Sequence, residues 1–302
     1  FLGSSNGGHQ MDTLSTKPEL RDGQILVNWQ WWQGATKTPH VGQIAVRLDS
    51  AHQSDQLAIA ELAAMYHLLE ERAVHGVGRL GNGLRIQTAS GAISKALRKG
   101  ALKATGKGET VKAHIAAAAD FLATKYFEAE VEVAPWREAE PKSFTESAID
   151  VGPRLPRATL ECTVLGGPVG VSRHAMARYI ARIDRRLSRY EEEDLTAVPN
   201  GRWTAAWRWF ERVLKGKSLE TAQVRPEAAR KLQAKYGSTA KYLRFPDARA
   251  ILVCRADHGS MVVATVLRDD AYSGFIEKDA YMVGQRIVRG HIHEMKKAMR
   301  NE

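Results

Sequence analysis

The chain has 302 residues, of which 44% are hydrophobic and 26% are charged, and its formal net charge is +10. This composition is that of a globular protein, and the length exceeds the usual size of one compact domain, so we expect two domains. There is no run of about 18 apolar residues, which excludes a transmembrane helix, and the start of the chain lacks the pattern of a signal peptide. We therefore expect a cytoplasmic protein with no membrane partner, in which residues 1–21 are a disordered or tag-derived N-terminus.

The excess positive charge lies in the second half of the chain. Residues 1–150 contain 16 Lys and Arg against 17 Asp and Glu, whereas residues 151–302 contain 28 against 17. Of these 28 cations, 20 are arginines, whose planar guanidinium groups suit phosphate and can stack on bases. A phosphate-bearing polymer is therefore the expected partner. An anionic membrane surface is less favoured, because no strongly apolar amphipathic face accompanies the charge.

Neither the cysteines nor the histidines form a metal-binding pattern. Cys162 and Cys254 each lie in an apolar run typical of a strand, so we expect buried free thiols rather than a disulfide or a zinc site. The HIH sequence at residues 291–293 would place its two histidines on different faces of a helix, where they could not share a metal ion.

The first half has the periodicity of an α/β layer. Residues 24–32 and 41–49 are rich in β-branched and aromatic residues and predict a hairpin, and residues 55–76 predict a long helix. A strand over residues 84–90, two further helices and an alternating strand near residues 127–136 follow. The predicted order is β-β-α-β-α-α-β, within an overall fold of the α+β or α/β class.

This order, together with a glutamate on the first long helix, resembles the ribonuclease H family. The family places an Asp on the first strand, a Glu on that helix, an Asp in a T-D-S turn and an Asp on the last helix, which together bind two magnesium ions. Here the helix carries Glu61, but Asn28 stands on the predicted first strand, Ala89 stands in the turn, and the last carboxylate would have to be Asp150. One glutamate and one aspartate would hold two metal ions poorly. The resemblance therefore implies a ribonuclease H-like domain over residues 22–150 with a degenerate site, and Mg²⁺ as a cofactor only if that site is active.

A proline-containing segment at residues 135–157 predicts the connection to a second domain, which we expect to cover residues 151–302. It begins with a strand near residues 158–167, followed by a basic helix over residues 172–190 and a tryptophan-rich helix over residues 202–218, whose aromatic residues we expect in the core. A helix near residues 226–237 and a meander of three or four antiparallel strands complete it. The predicted architecture is helices packed on an antiparallel sheet.

The basic helix carries His174, Arg178 and Arg182 at four-residue steps, which places them on one face of the helix. This pattern, with Thr265 and Arg268 in the late strand run VVATVLR, resembles bacterial ribonuclease toxin domains of the RelE and barnase-like group. The resemblance implies metal-independent cleavage of RNA and an inhibitor protein as a further partner. The alternative interpretation is a solvated basic face without a ligand.

In such chemistry an RNA 2′-hydroxyl attacks the adjacent phosphate, so a base, an acid and cations for the phosphorane are needed. His174 would act as base or acid, Arg178 and Arg182 would hold the phosphate, and Thr265 would complete the catalytic group. His258 is either a group opposite them or a turn residue. Further nucleic-acid contacts are expected from Arg185, Arg186, Arg244, Arg255 and Arg268.

Three functions remain open from the sequence. The first is a nucleic-acid-binding protein, with RNA favoured, that has a metal-independent endoribonuclease in its basic half. The second is a non-catalytic nucleic-acid-binding protein of a mobile element such as a phage or plasmid. The third is a metal-dependent ribonuclease H with an altered site, against which Asn28 and Ala89 both count.

Overall fold

A computed structural model of the chain describes residues 11–99, 113–138, 144–153, 155–184, 198–257 and 259–268. Within these ranges the chain forms two six-stranded sheets with helices packed on them, so the predicted mixed α/β fold with two sheets is confirmed. Contacts divide the chain into two units. The first contains the described parts of Phe1–Ala158, Val171–Ala177 and Tyr190–Trp207, and the second contains those of Thr159–Gly170, Arg178–Arg189 and Arg208–Glu302.

The first sheet has the strand order β5-β4-β1-β2-β3-β6. Strands β1, β2 and β3 form an antiparallel meander, whereas β4 joins β1, β5 joins β4 and β6 joins β3 in parallel. The β1–β2 hairpin turns at Asp22 and Gly23, whose φ angles of 51° and 76° are those of the tight turn that matches the twist of paired strands. The strands are β1 (Asp12–Arg21), β2 (Gln24–Trp32), β3 (His40–Leu48), β4 (Leu84–Thr88), β5 (Glu130–Val133) and β6 (Phe144–Val151).

The helices of the first unit bury small and branched apolar side chains. Helix α1 (Gln56–Tyr66) runs on through a wider helical turn (His67–Glu71) and packs on β1, β2 and β3. Helices α2 (Gly91–Lys99) and α3 (Ala113–Lys125) pack against each other. Four alanines of α3 are buried, and their small side chains let neighbouring elements approach closely; they are Ala116, Ala118, Ala119 and Ala123.

Two predictions about this unit are wrong. Residues 1–21 were expected to be disordered, but Asp12–Arg21 form β1, which lies between β2 and β4; residues 1–10 lie outside the described residues. The segment over residues 135–157 was expected to be a connection, but it contains β6, which pairs with β3. Both strands are rich in polar residues, so neither has the apolar alternation that predicts a strand.

The second sheet has the order β7-β8-β12-β11-β10-β9. The meander β10–β11–β12 follows helix α6 (Pro226–Tyr236), as the sequence predicts, while the last predicted strand, near residues 275–283, and the basic tail lie outside the described residues. The strands are β7 (Thr159–Cys162), β8 (Gly167–Val171), β9 (Glu220–Thr221), β10 (Lys241–Phe245), β11 (Ala250–Asp257) and β12 (Ser260–Arg268).

Helices α4 (Arg173–Arg182) and α5 (Asn200–Lys215) each contribute residues to both units. In the second unit, Trp209 stacks on Tyr179 with ring centroids 4.3 Å apart and meets Phe210 and Phe245 edge to face. The prediction that the aromatic residues of this helix belong to the core is confirmed, since the predicted set is buried: Trp203, Trp207, Phe210 and Leu214.

Candidate functional site

The carboxyl group of Glu61 is enclosed at the centre of the first unit. Its side chain projects from α1 toward two adjacent parallel strands and is 1% exposed. The hydroxyl groups of Thr16 on β1 and Thr88 on β4 both donate to Glu61 Oε1, at 2.8 and 2.7 Å. The two threonines are register partners, so their hydroxyls lie side by side. Burial raises the pKa of Glu61 to about 7, although both hydrogen bonds favour the charged form.

Asn28 does not occupy the first strand, which corrects the sequence interpretation. It lies on β2, where its Oδ1 accepts a hydrogen bond from Gln43 Nε2 on β3 at 2.9 Å. The residue of the first strand that reaches Glu61 is Thr16, and the acidic residue at the start of that strand, Asp12, instead pairs with His75. The first-strand residue that contacts Glu61 is therefore a threonine, not the aspartate that the sequence resemblance implied.

Ala89 and Asp150 add no ligand to Glu61. Ala89 is exposed, directly after Thr88 at the end of β4, and its methyl group offers no oxygen. Asp150 lies on strand β6 rather than on a helix, which corrects its assignment as the last-helix carboxylate. Its carboxylate accepts from Arg47 Nε at 2.6 Å, and both side chains are more than two-thirds exposed. Register and strand alternation place this pair on the face of the sheet opposite the buried Val46.

The residues present do not fit a two-magnesium site. Magnesium requires oxygen ligands in a nearly octahedral arrangement, and a metal pair needs several carboxylates to offset its charge. Glu61 Oε1 is already engaged by two hydroxyl donors, and burial favours its neutral form. Among the residues that the structure describes, no group of three or more His, Cys, Asp or Glu side chains could hold a metal ion. We therefore derive no metal-dependent step for this unit.

The basic helix α4 contacts β12, the strand whose Thr265 the sequence analysis grouped with the histidine and arginines of this helix. Arg182 Nη1 donates to Thr265 Oγ1 at 3.3 Å and to the carbonyl of Val266 at 2.9 Å, so the end of α4 is fixed on β12. Thr265 is 2% exposed and provides an acceptor inside the unit. Three of the predicted residues, Arg178, Arg182 and Thr265, therefore belong to one region of the second unit.

Arg178 is half-buried one helical turn before Arg182. Burial is the main cause that lowers its pKa, and the charge of Arg182 lowers it further, whereas Tyr236 on α6 acts in the opposite direction. His174, another turn earlier on α4, is half-buried. The helix therefore holds two positive charges one turn apart, and the charge of Arg182 acts on Arg178.

The remaining predicted arginines have different environments. Arg244 is 7% exposed and its Nη1 donates to Glu220 Oε1 at 3.2 Å, so its assignment as a surface contact for nucleic acid is corrected: the guanidinium is buried and pairs with a carboxylate that is half-exposed. Arg255 is exposed on β11, and Arg268 is half-buried at the end of β12. The predictions for Arg185, Arg186 and His258 lie outside the described residues.

Sequence reasoning missed Arg173, the residue beside His174. Its side chain is 8% exposed, and its guanidinium lies over the ring of Trp203 at 4.7 Å from the centroid. Burial lowers the pKa of Arg173 to about 10, so it remains charged at neutral pH. The helical spacing of Trp203 indicated a core residue but gave no sign that a buried cation would stack on it.

Among the residues described, no helix is long and apolar enough to cross a membrane. No protein-family model matches the chain, and no curated protein matches it.

Among solved structures, the chain matches RNase H1 from the halophilic archaeon Halobacterium salinarum NRC-1 with 15% sequence identity and a TM-score of 0.24. The match covers 47% of this chain and 86% of that chain. A likeness at this TM-score establishes neither family nor activity. What the structure itself defines is a protein of the two-sheet α+β class.

Proposed function

We propose that this chain is a nucleic-acid-binding protein, with RNA as the favoured polymer, whose second half contacts the phosphates. The observation that carries the proposal is the arginine pair on α4. Arg182 is fixed on β12 by hydrogen bonds to Thr265 and Val266, and Arg178 lies one turn away within its electrostatic influence. Two guanidinium groups one helical turn apart can both donate to the oxygens of one phosphate, which supports anion binding by this pair.

The distribution of charge supports the same surface. The second half of the chain carries 28 Lys and Arg against 17 Asp and Glu, while the first half is nearly neutral. Salt-dependent phosphate contacts supply most of the affinity of nucleic-acid-binding proteins, so the polymer is expected on the basic half. RNA is favoured over DNA because the His174, Arg178 and Arg182 pattern resembles toxin domains that cleave RNA.

The first unit we interpret as a ribonuclease H-like domain without metal-dependent catalysis. Support comes from Glu61 on the first long helix, which meets Thr16 and Thr88 on two parallel strands where the family has carboxylates. In this interpretation the threonines satisfy Oε1 of the buried glutamate, and no metal ion is required to do so.

Fluorescence anisotropy with a labelled single-stranded RNA tests the binding. We expect Arg178→Ala to weaken binding about tenfold and to reduce the slope of log affinity against log salt by about 0.7, the value for one lost phosphate contact on a single strand. Arg21→Ala, which removes an exposed arginine from the nearly neutral half, is the matched control. Equal effects of the two substitutions, or binding that does not respond to salt, would contradict the proposal.

A second function, metal-independent RNA cleavage, is favoured by the contact between Arg182 and Thr265. In this reaction the 2′-oxygen attacks the adjacent phosphorus, the bond to the 5′-oxygen breaks, and the products are a 2′,3′-cyclic phosphate and a 5′-hydroxyl. A base removes the 2′-hydroxyl proton and an acid protonates the leaving oxygen. His174 is the group on α4 that can perform one of these transfers at neutral pH, and the two arginines stabilise the phosphorane.

Incubation of the labelled RNA in EDTA separates cleavage from binding. Cleavage to a 2′,3′-cyclic phosphate that is retained in EDTA and lost in His174→Ala would support the catalytic function. If the wild-type chain binds the RNA but leaves it intact in EDTA, the binding function stands and the catalytic one does not.

A further inference from the structure

A cavity of about 740 Å³ lies inside the first unit. Strands β4 and β5, helices α2 and α3, and the first turns of α4 and α5 line it. Its apolar wall includes Ile86, Leu97, Leu122 and Val131. The volume is within the range of sites that hold small organic ligands, and the cavity shares no residue with the arginine pair to which the proposed function assigns nucleic acid.

The charged groups of the cavity are predominantly positive. Lys95 and Arg98 project from α2, and Arg173 enters from the first turn of α4. One carboxylate, that of Glu130, also lines the cavity. It accepts a hydrogen bond from Arg85 Nη2 at 3.1 Å, so it is paired with a cation that is not among the lining residues. The cavity therefore attracts an anion.

The buried side chain of Arg173 indicates a ligand independently of the charge of the cavity. Its side chain is more than nine-tenths buried, and Nη1 donates to the carbonyl groups of Leu97 and Ala123 at 3.0 and 3.3 Å. Its Nε is buried without a hydrogen-bond partner, and burial lowers the pKa of Arg173 with no contribution from a charged neighbour among the described residues. A buried charge in a protein is normally paired, and Trp203 offers only the face of its ring.

We propose that this cavity binds an organic phosphate monoester, with its phosphate at Arg98 and Arg173 and its organic part against the apolar wall. The arginine fork matches the oxygens of a phosphate, and two arginines suit a group with close to two negative charges. The apolar wall and the volume exceed what inorganic phosphate needs, so an attached organic group fits beside it. The ligand supplies the counter-ion that the buried guanidinium lacks.

Isothermal titration calorimetry with the full chain tests the site. The probes are ribose 5-phosphate, phenyl phosphate and adenosine 5′-monophosphate, and the controls are phenol, adenosine and benzoate. We expect at least one of the phosphate monoesters to bind the wild-type chain and the controls not to bind. Failure of all three monoesters to bind, or equal binding of benzoate, would overturn the proposal.

Variants locate the binding. Arg98→Ala changes an exposed residue and should fold normally; it should weaken the monoester at least tenfold, and Arg173→Lys, which keeps the charge but loses the fork, should do the same. Arg21→Ala is the matched control and should bind as the wild type does. Unchanged affinity in Arg98→Ala would refute the site. Because Arg178→Ala should leave monoester binding unchanged, failure of this proposal is distinguishable from failure of the proposed function.

Discussion

The buried carboxyl group of Glu61 should make the stability of the protein fall as the pH rises, and Glu61→Gln should remove that dependence. Burial raises the pKa of Glu61 from 4.5 to about 7 in the folded state. Between these values the folded protein holds a proton that the unfolded chain has released, so the stabilisation is complete below the lower value and is lost as the pH rises through the higher one. At about 1.4 kcal/mol for each pH unit, the loss amounts to about 3 kcal/mol.

Glutamine is the informative replacement because it keeps the Oε1 acceptor for the hydroxyl groups of Thr16 and Thr88 but cannot ionise. Urea unfolding followed by tryptophan fluorescence gives the free energy of unfolding of both proteins at about pH 5 and about pH 8. We expect the two to be of similar stability at the lower pH and Glu61→Gln to be about 3 kcal/mol more stable at the higher pH.

The control for this measurement is Asp150→Asn, the same kind of change at an exposed carboxylate paired with Arg47. Its effect should stay below about 1 kcal/mol at both pH values, because exposed ion pairs contribute little. If the free energies of unfolding of Glu61→Gln and the wild type differ by the same amount at both pH values, or if the wild type is the more stable at the higher pH, Glu61 is not a buried carboxyl group with a raised pKa.

Two further predictions follow from the sites described. Magnesium should change the melting temperature of the wild-type protein and of Glu61→Gln equally, since the donors around Glu61 do not form a metal site; a rise confined to the wild type in a thermal-shift assay would contradict this. Trp209→Ala should destabilise the second unit by about 3–5 kcal/mol, the cost of a large cavity in an aromatic core, because Trp209 contacts Tyr179, Phe210 and Phe245. A cost below about 1 kcal/mol in urea unfolding would indicate a surface position.

Sequence patterns were sufficient where an element is a short apolar run bounded by turn residues, or a helix with one apolar face. Strands β10–β12 are such runs and are almost continuously buried, α5 has an aromatic face, and both features were predicted. Strand β1 was missed because two of its three buried residues, Ser15 and Thr16, are polar, so its polarity indicates a loop. The Asp22-Gly23 turn that joins it to β2 is the signal that could have located it.

For the candidate sites, the sequence predicted what depends on the spacing of nearby residues and missed what depends on contacts between distant parts of the chain. Helical spacing predicted that Arg178 and Arg182 share a face, and the structure brings Arg182 to Thr265, which lies 83 residues away. Arg244 was also expected in the nucleic-acid surface, but its side chain is buried and pairs with the half-exposed Glu220. Whether a cation is paired depends on which strand lies beside it, and that information is absent from the spacing of residues along the chain.

Glu61 and Arg173 are both buried ionisable groups of the first unit, but they differ in how their electrostatic cost can be reduced. Glu61 can take up a proton near neutral pH, since its pKa is raised to about 7, and two hydroxyl donors satisfy one of its oxygens. Arg173 keeps its charge, since even a pKa lowered to about 10 leaves it protonated at neutral pH. A carboxyl group that can become neutral needs no ligand to be stable in the core, whereas a permanent charge without a carboxylate partner does. Within this unit, the chemistry therefore favours a ligand at the arginine cavity over a metal ion at the glutamate.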